Sequence, residues 1–221
     1  MEQDRDCVTL AKILQFVDLR DQEVLEIGCG DGRITSQLVG KAKRLVAIDP
    51  DAANIAEVKE NMGGVGLRIG SGECLEFPSG SFGVILFTLS LHHQDSRVAL
   101  REAQRVLRDD GRLVILEPVN DGEIEQVCNL FHNEAQLLQD ALCAIDASDF
   151  EVERSEVFYT YWEFKNEHEL YEWLFTYYQK PFDSSLVVLI GELLGNKVGS
   201  SSIILQDKAM IVSLRKHSAQ G

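Results

Sequence analysis

The stretch at 24–35, VLEIGCGDGRIT, read with the Asp49 that closes the next apolar run, RLVAIDP, constrains this chain more than any other feature. Val24, Leu25 and Ile27 make a short apolar strand, and Gly28, Gly30 and Gly32 then fall at every second position before a helical pattern begins. Glycines in a strand-to-helix loop allow positive φ and let a ligand lie against the main chain. Asp49 follows Gly28 by 21 residues, the spacing at which an acidic side chain at the tip of the neighbouring strand reaches ribose hydroxyls. The unit reads as a nucleoside pocket. A pyrophosphate-binding loop has G-x-G-x-x-G, whereas here the third glycine comes one residue early and Glu26 and Asp31 flank the loop. Two carboxylates repel a pyrophosphate and suit a ligand that carries positive charge near the loop.

Apolar periodicity extends the pattern. A helix is expected over 7–18, strands over 24–27, 44–50 and 65–69, and a helix over 51–61 that stops at Asn61-Met62-Gly63-Gly64. The run at 84–89 is apolar throughout, as a central parallel strand buried on both faces should be. A helix at 95–107, a turn at Asp109-Asp110-Gly111 and a strand at 112–117 follow. Strand and helix alternate, which predicts an α/β fold with a doubly wound, mostly parallel sheet. The apolar positions 124, 127, 131, 135, 138, 142 and 145 fit one long helix over 123–145. All five tyrosines and both tryptophans fall within 159–178, where EVFYTYWEF alternates like a strand and 166–179 has helical spacing. Such rings serve either as a core or as a pocket for a flat apolar or cationic molecule. Tyr159 and Tyr161, on one face of that strand, are the candidate acceptor-binding rings.

E-x-G-x-G-x-G with the acidic residue of AIDP resembles the class I S-adenosylmethionine-dependent methyltransferases of the broad ubiquinone and sterol type. The phrases FPSGSF at 77–82 and REAQRVLRDDGRLVILEP at 101–118 are similar to that family as well. The resemblance covers about 8–118 and the last strand, 209–214, and implies a Rossmann-like sheet of seven strands in the order 3-2-1-4-5-7-6, the last antiparallel. One domain over 1–221 is expected, with 119–207 an unmatched helical cap inserted in it. The cofactor implied is S-adenosyl-L-methionine, lined by Glu26, Gly28, Cys29, Gly30, Asp49, Pro50, Gly72, Glu73, Thr88 and Leu89. Ser71 stands where many relatives have an aspartate that accepts from adenine; Gly72 is expected to keep a free N–H there and Glu73 to supply the carboxylate. His93 matches a histidine frequent in relatives and is the candidate catalytic base, set against a purely structural role at the next helix start.

A net charge of −15 argues against nucleic acid or an anionic membrane as partner. The partners expected are a small-molecule methyl acceptor, no nucleic acid and no membrane insertion, in a monomer or homodimer. No apolar run reaches 18 residues and MEQDRD is not a leader, so a cytoplasmic location is expected. Five cysteines without a C-x-x-C pair disfavour disulfides and zinc, and the adjacent His92 and His93 lack a third metal ligand at usable spacing. Two other functions stay open: an S-adenosylmethionine-binding regulatory or assembly subunit that transfers nothing, and a nicotinamide-dependent dehydrogenase.

Overall fold

The computed structural model of the protein describes residues 1–217. In chain order it forms β1 (Glu2–Gln3), α1 (Val8–Phe16), β2 (Glu23–Ile27), α2 (Arg33–Leu38), β3 (Arg44–Asp49), α3 (Ala52–Asn61) and β4 (Val65–Ile69). These are followed by β5 (Phe82–Thr88), a 3-10 turn (Leu91–His93), α4 (Ser96–Val106), β6 (Leu107–Pro118), α5 (Glu123–Cys128) and α6 (Ala135–Asp146). The chain ends with β7 (Phe150–Phe164), α7 (Glu167–Tyr177), α8 (Ser184–Leu194) and β8 (Ile203–Lys216). Two compact units result. The larger holds Thr9–Glu117, Leu137–Glu156 and the chain from Met210; the smaller holds Met1–Val8, Pro118–Gln136 and Val157–Ala209. The expected cap span of 119–207 therefore contributes its stretch 137–156 to the larger unit.

In the larger unit the strands lie in the order β7-β8-β6-β5-β2-β3-β4, the expected 3-2-1-4-5-7-6 read from the other edge. The pairs β2–β3, β2–β5, β3–β4 and β5–β6 are parallel. Every residue of β5 is buried, and Leu25, Ile27, Ile85, Phe87, Leu113 and Ile115 join the core on which α4 lays Ala99, Leu100, Ala103 and Val106. The fifth strand expected at 112–117 starts earlier: Leu107 pairs with Phe82 and Arg112 with Val84, so 108–111 bulge out of register. A Cβ on Gly83 would lie 2.1 Å from Gln22 Oε1 and displace that side chain.

Among the described residues the sheet has eight strands where seven are expected. β1 pairs antiparallel with β7 in the smaller unit, Glu2 opposite Glu163 and Gln3 opposite Trp162. A polar two-residue edge strand is held by main-chain bonds and by Arg5, which pairs with Glu2 and Glu163, so no apolar alternation announces it. The single helix expected over 123–145 is also corrected to two, α5 and α6. Asn133 Oδ1 accepts from Ala135 N–H at 2.9 Å and starts the second. The apolar stripe is divided between two cores, with Ile124, Val127 and Phe131 in that of the smaller unit and Ile145 in that of the larger.

Most of the aromatic cluster is the core of the smaller unit. Phe164, Leu170, Leu174, Phe175, Ile190 and Leu194 are buried together, Trp162 meets Trp173 edge-on at 5.0 Å, and Phe131 stacks on Tyr178 at 5.2 Å. Along β7 the alternation turns Phe158, Thr160 and Phe164 inward and Tyr159 and Tyr161 outward. Thr160 Oγ1 and Trp162 Nε1 both donate to Asp207 Oδ2 at 3.1 Å. Asp207→Ala leaves these donors unpaired, which costs about 1–3 kcal/mol. Since both tryptophans, Trp162 and Trp173, lie in this unit, tryptophan fluorescence in a urea titration should show a lowered midpoint for the variant. An unmoved midpoint would show that the Asp207 bonds add no stability.

Candidate functional site

The glycine loop leaves β2 at Ile27 and turns back on β3, with the N–H groups of Gly28 and Cys29 both donating to Ile48 C=O, at 2.8 and 3.0 Å. Gly28, Gly30 and Gly32 have φ of 74°, 52° and 80°, in the left-handed region. Two of them are needed for packing as well: a Cβ on Gly28 would sit 2.3 Å from Ser90 Cβ, and one on Gly32 would strike Met62 Cε at 2.6 Å. Gly30 differs, for nothing lies within 4 Å of where its Cβ would be. Its backbone borders open space and is held from behind. Asp49, buried at the tip of β3, accepts from Gly30 N–H at 2.8 Å through Oδ2 and from Asp51 N–H at 2.9 Å and Asn54 Nδ2 at 3.2 Å through Oδ1. Pro50 follows it, exposed.

Glu26 projects from β2 and is fully buried. Its Oε1 accepts from Thr88 Oγ1 at 3.0 Å, while Oε2 has no hydrogen-bond partner. Burial pushes this carboxyl up to about 7, against the opposing pull of the Thr88 hydroxyl. Burial and the neighbouring Glu26 and Asp49 carboxylates push the Cys29 thiol up to about 12, so it is an inert wall. A buried carboxylate with one unpartnered oxygen, next to a glycine backbone open to space, fits a ligand that brings a cationic head and a ribose. S-adenosylmethionine has both.

Past Thr88 the chain makes a strained turn. Leu89 is half-buried with φ 60°, and its N–H donates to Leu116 C=O at 3.0 Å. Ser90 Oγ donates to Ile27 C=O at 2.6 Å. The two histidines then separate: His92 is buried with Nδ1 against Glu117 Oε2, and His93 is exposed with its ring centroid 3.9 Å from that of His92. The candidate base of the sequence reading is thus the outer ring of a tilted pair. Its neighbour, assigned no role from sequence, is the one held by a carboxylate.

The loop after β4 departs from expectation. Gly72 N–H, expected to be free, donates to Gln94 Oε1 at 2.8 Å, and Glu73 Oε1 accepts from Asp95 N–H at 2.6 Å. Gln94 and the start of α4 use the groups that sequence had offered to an adenine ring, through contacts 22 residues apart that no local pattern signals. Tyr159 and Tyr161 are 46% and 53% exposed in the smaller unit, so neither ring is core. Glu117, Gln94 and Ser90 are the polar residues that sequence reasoning missed. Only Glu117, standing before Pro118 at a strand end, carried any signal.

The raised Glu26 carboxyl makes stability depend on pH. Between its ordinary value of 4.5 and about 7 the folded protein keeps a proton that the unfolded chain has lost. Its contribution is therefore full at low pH, declines as pH rises through that window by about 3 kcal/mol in all, and is level above it. Glu26→Gln cannot ionise and should lose less stability than wild type between pH 5 and 8 in urea titrations. Parallel changes in the two proteins would show that Glu26 does not titrate in this window.

Comparison with known proteins agrees with this geometry. The methyltransferase domain family model matches residues 25–115. The Bacillus subtilis protein YrhH, a methyltransferase by name, is 32% identical over 125 residues, 52% of this chain and 68% of that protein. The ubiquinone/menaquinone biosynthesis C-methyltransferase UbiE of Hahella chejuensis is 32% identical over 140 residues, 58% of this chain and 56% of that protein. The matched stretch spans from 34% to 68% of the curated relatives' own lengths. A Bacillus halodurans structure described as a methyltransferase superposes with a TM-score of 0.70 at 17% identity, covering 96% of this chain and 100% of that one, which is a likeness of fold. No helix of the described residues is long and apolar enough to cross a membrane. With the glycine loop, the strand order and these relatives in agreement, the chain belongs to the class I S-adenosylmethionine-dependent methyltransferases.

Proposed function

We propose that this protein transfers a methyl group from S-adenosyl-L-methionine to a small, flat apolar or cationic acceptor. The observation that carries the proposal is the pairing of Gly30, whose backbone borders open space, with Glu26, a buried carboxylate that has an unpartnered oxygen. When bound, the cofactor supplies a methyl on a sulfonium, whose departure leaves a neutral thioether. The protein's part is alignment, which is worth about 7–11 kcal/mol when donor and acceptor are held in line. Gly28, Cys29 and Gly30 form the floor, Glu26 faces the cationic head, and Asp49 with Pro50 stands at the ribose. Thr88 and Leu89 bound the methyl side. Gly72 and Glu73 remain wall residues, their N–H and carboxylate engaged by Gln94 and Asp95.

His93 is the ring assigned to take a proton where the acceptor must lose one, because it is the exposed member of the pair. Tyr159 and Tyr161 are assigned to the acceptor: both are exposed, and ring faces attract flat molecules and cations. The net charge of −15 disfavours a large anionic acceptor. The Hahella relative's name, a C-methyltransferase of ubiquinone/menaquinone biosynthesis, is consistent with a flat one. A mass-spectrometric search for molecules that co-purify with the protein identifies the acceptor directly.

Cofactor binding is tested at Asp49. Its ionised oxygens suit ribose hydroxyls, each charge-assisted bond being worth about 1.5–3 kcal/mol, and it also holds the Gly30 amide in place. Asp49→Ala should weaken S-adenosylhomocysteine binding by about two decades in titration calorimetry. An affinity within threefold of wild type would remove Asp49 from the cofactor site.

A further inference from the structure

We infer that Glu117 is a positioning residue for the proton acceptor, holding His92 with its proton on Nδ1 and, through the His92 ring, fixing the placement of His93; this rests on the methyltransferase reading above. Glu117 ends the strand run of β6 and is 2% exposed. Both of its oxygens are used by one short turn. Oε1 accepts from Leu91 N–H at 2.9 Å, and Oε2 meets His92 Nδ1. With Oε1 accepting from Leu91 N–H, the inference gives Oε2 the acceptor role toward His92, which puts the ring proton on Nδ1 and the lone pair on Nε2. The His92 ring lies 3.9 Å from the His93 ring at an interplanar angle of 45°. A ring clamped at Nδ1 therefore limits how the exposed ring beside it can turn.

The rest of the turn is anchored on both sides. Ser90 Oγ is bonded to Ile27 C=O, the Leu89 N–H to Leu116 C=O at 3.0 Å, and Ser96 Oγ donates to Leu91 C=O at 3.1 Å. These three connections, with the two to Glu117, make a fixed platform, and a platform is what a proton acceptor needs. In the step it serves, the bond between sulfur and the methyl carbon breaks with its electron pair going to sulfur. The acceptor heteroatom bonds the methyl carbon, and the proton it loses passes to the neutral His93 imidazole, which becomes imidazolium.

Glu117→Gln tests the inference, because the substitution is isosteric. The amide oxygen still accepts from Leu91 N–H, but the amide nitrogen now faces Nδ1, which must become the acceptor and give its proton position to Nε2. Nitrogen-15 NMR of the histidine rings, recorded above their titration range, should show His92 protonated at Nδ1 in wild type. It should be protonated at Nε2 in Glu117→Gln, with shifted His93 signals and an S-adenosylhomocysteine affinity within about twofold of wild type. Wild-type His92 protonated at Nε2 would overturn the inference even if the variant failed to fold. So would ring signals of His92 and His93 that are unchanged in a folded variant. Failure of S-adenosylhomocysteine to bind the wild-type protein would instead overturn the methyltransferase reading, a result distinct from either tautomer.

Discussion

The larger unit depends on the close approach of Gly28 and Ser90. The two backbones meet where β2 and β5 end, with Ser90 Cβ occupying the place a Gly28 Cβ would need and Ser90 Oγ bonded to Ile27 C=O. Any side chain at 28 would push the strand tips apart, and φ of 74° adds strain for every residue other than glycine. The approach joins the glycine loop to the turn carrying His92 and His93, so the two share one rigid origin. Thr88, bonded to Glu26 one strand away, repeats the link on the same pair of strands.

Carboxylates at the strand ends divide into two kinds. Asp49 and Glu117 are buried with both oxygens bonded, and both organise backbone: Asp49 the amide of Gly30 and the start of α3, Glu117 the amide of Leu91. Glu26 is buried with one oxygen unpartnered, and burial raises its carboxyl to about 7. Acids that hold backbone donors define shape, whereas an acid with an unpartnered oxygen gains most from a cation. The same residue type thus supplies the frame of the site and its attraction, with hydrogen-bond partners deciding which.

The smaller unit solves a different problem, the burial of many large rings within a short segment. Edge-to-face and stacked contacts among Trp162, Trp173, Phe131, Phe175 and Tyr178 absorb most of them, and Asp207 supplies the acceptor that the Trp162 indole requires. Burial raises the Cys128 thiol to about 12 and the Tyr178 hydroxyl above its ordinary range, so neither ionises in neutral solution. Tyr159 and Tyr161 escape this packing only because strand alternation points them away from it.

What the sequence by itself determined is the part governed by neighbours along the chain. Short apolar runs such as 24–27 and 84–89, punctuated by glycines and alternating with helical periods, dictate a doubly wound parallel sheet, and the spacing from Gly28 to Asp49 brings that carboxylate to the glycine loop. Tertiary structure alone decided what depends on partners far away in sequence. β1 is a strand only because the edge of β7 is there to receive its main chain, and the stripe over 123–145 is two helices because its halves belong to different cores. Gly72 and Glu73 lost their expected freedom to Gln94 and Asp95, and His92 gained a carboxylate partner 25 residues on. Periodicity is a local property of backbone geometry. Hydrogen-bond partnership is settled by which strand ends the sheet brings together.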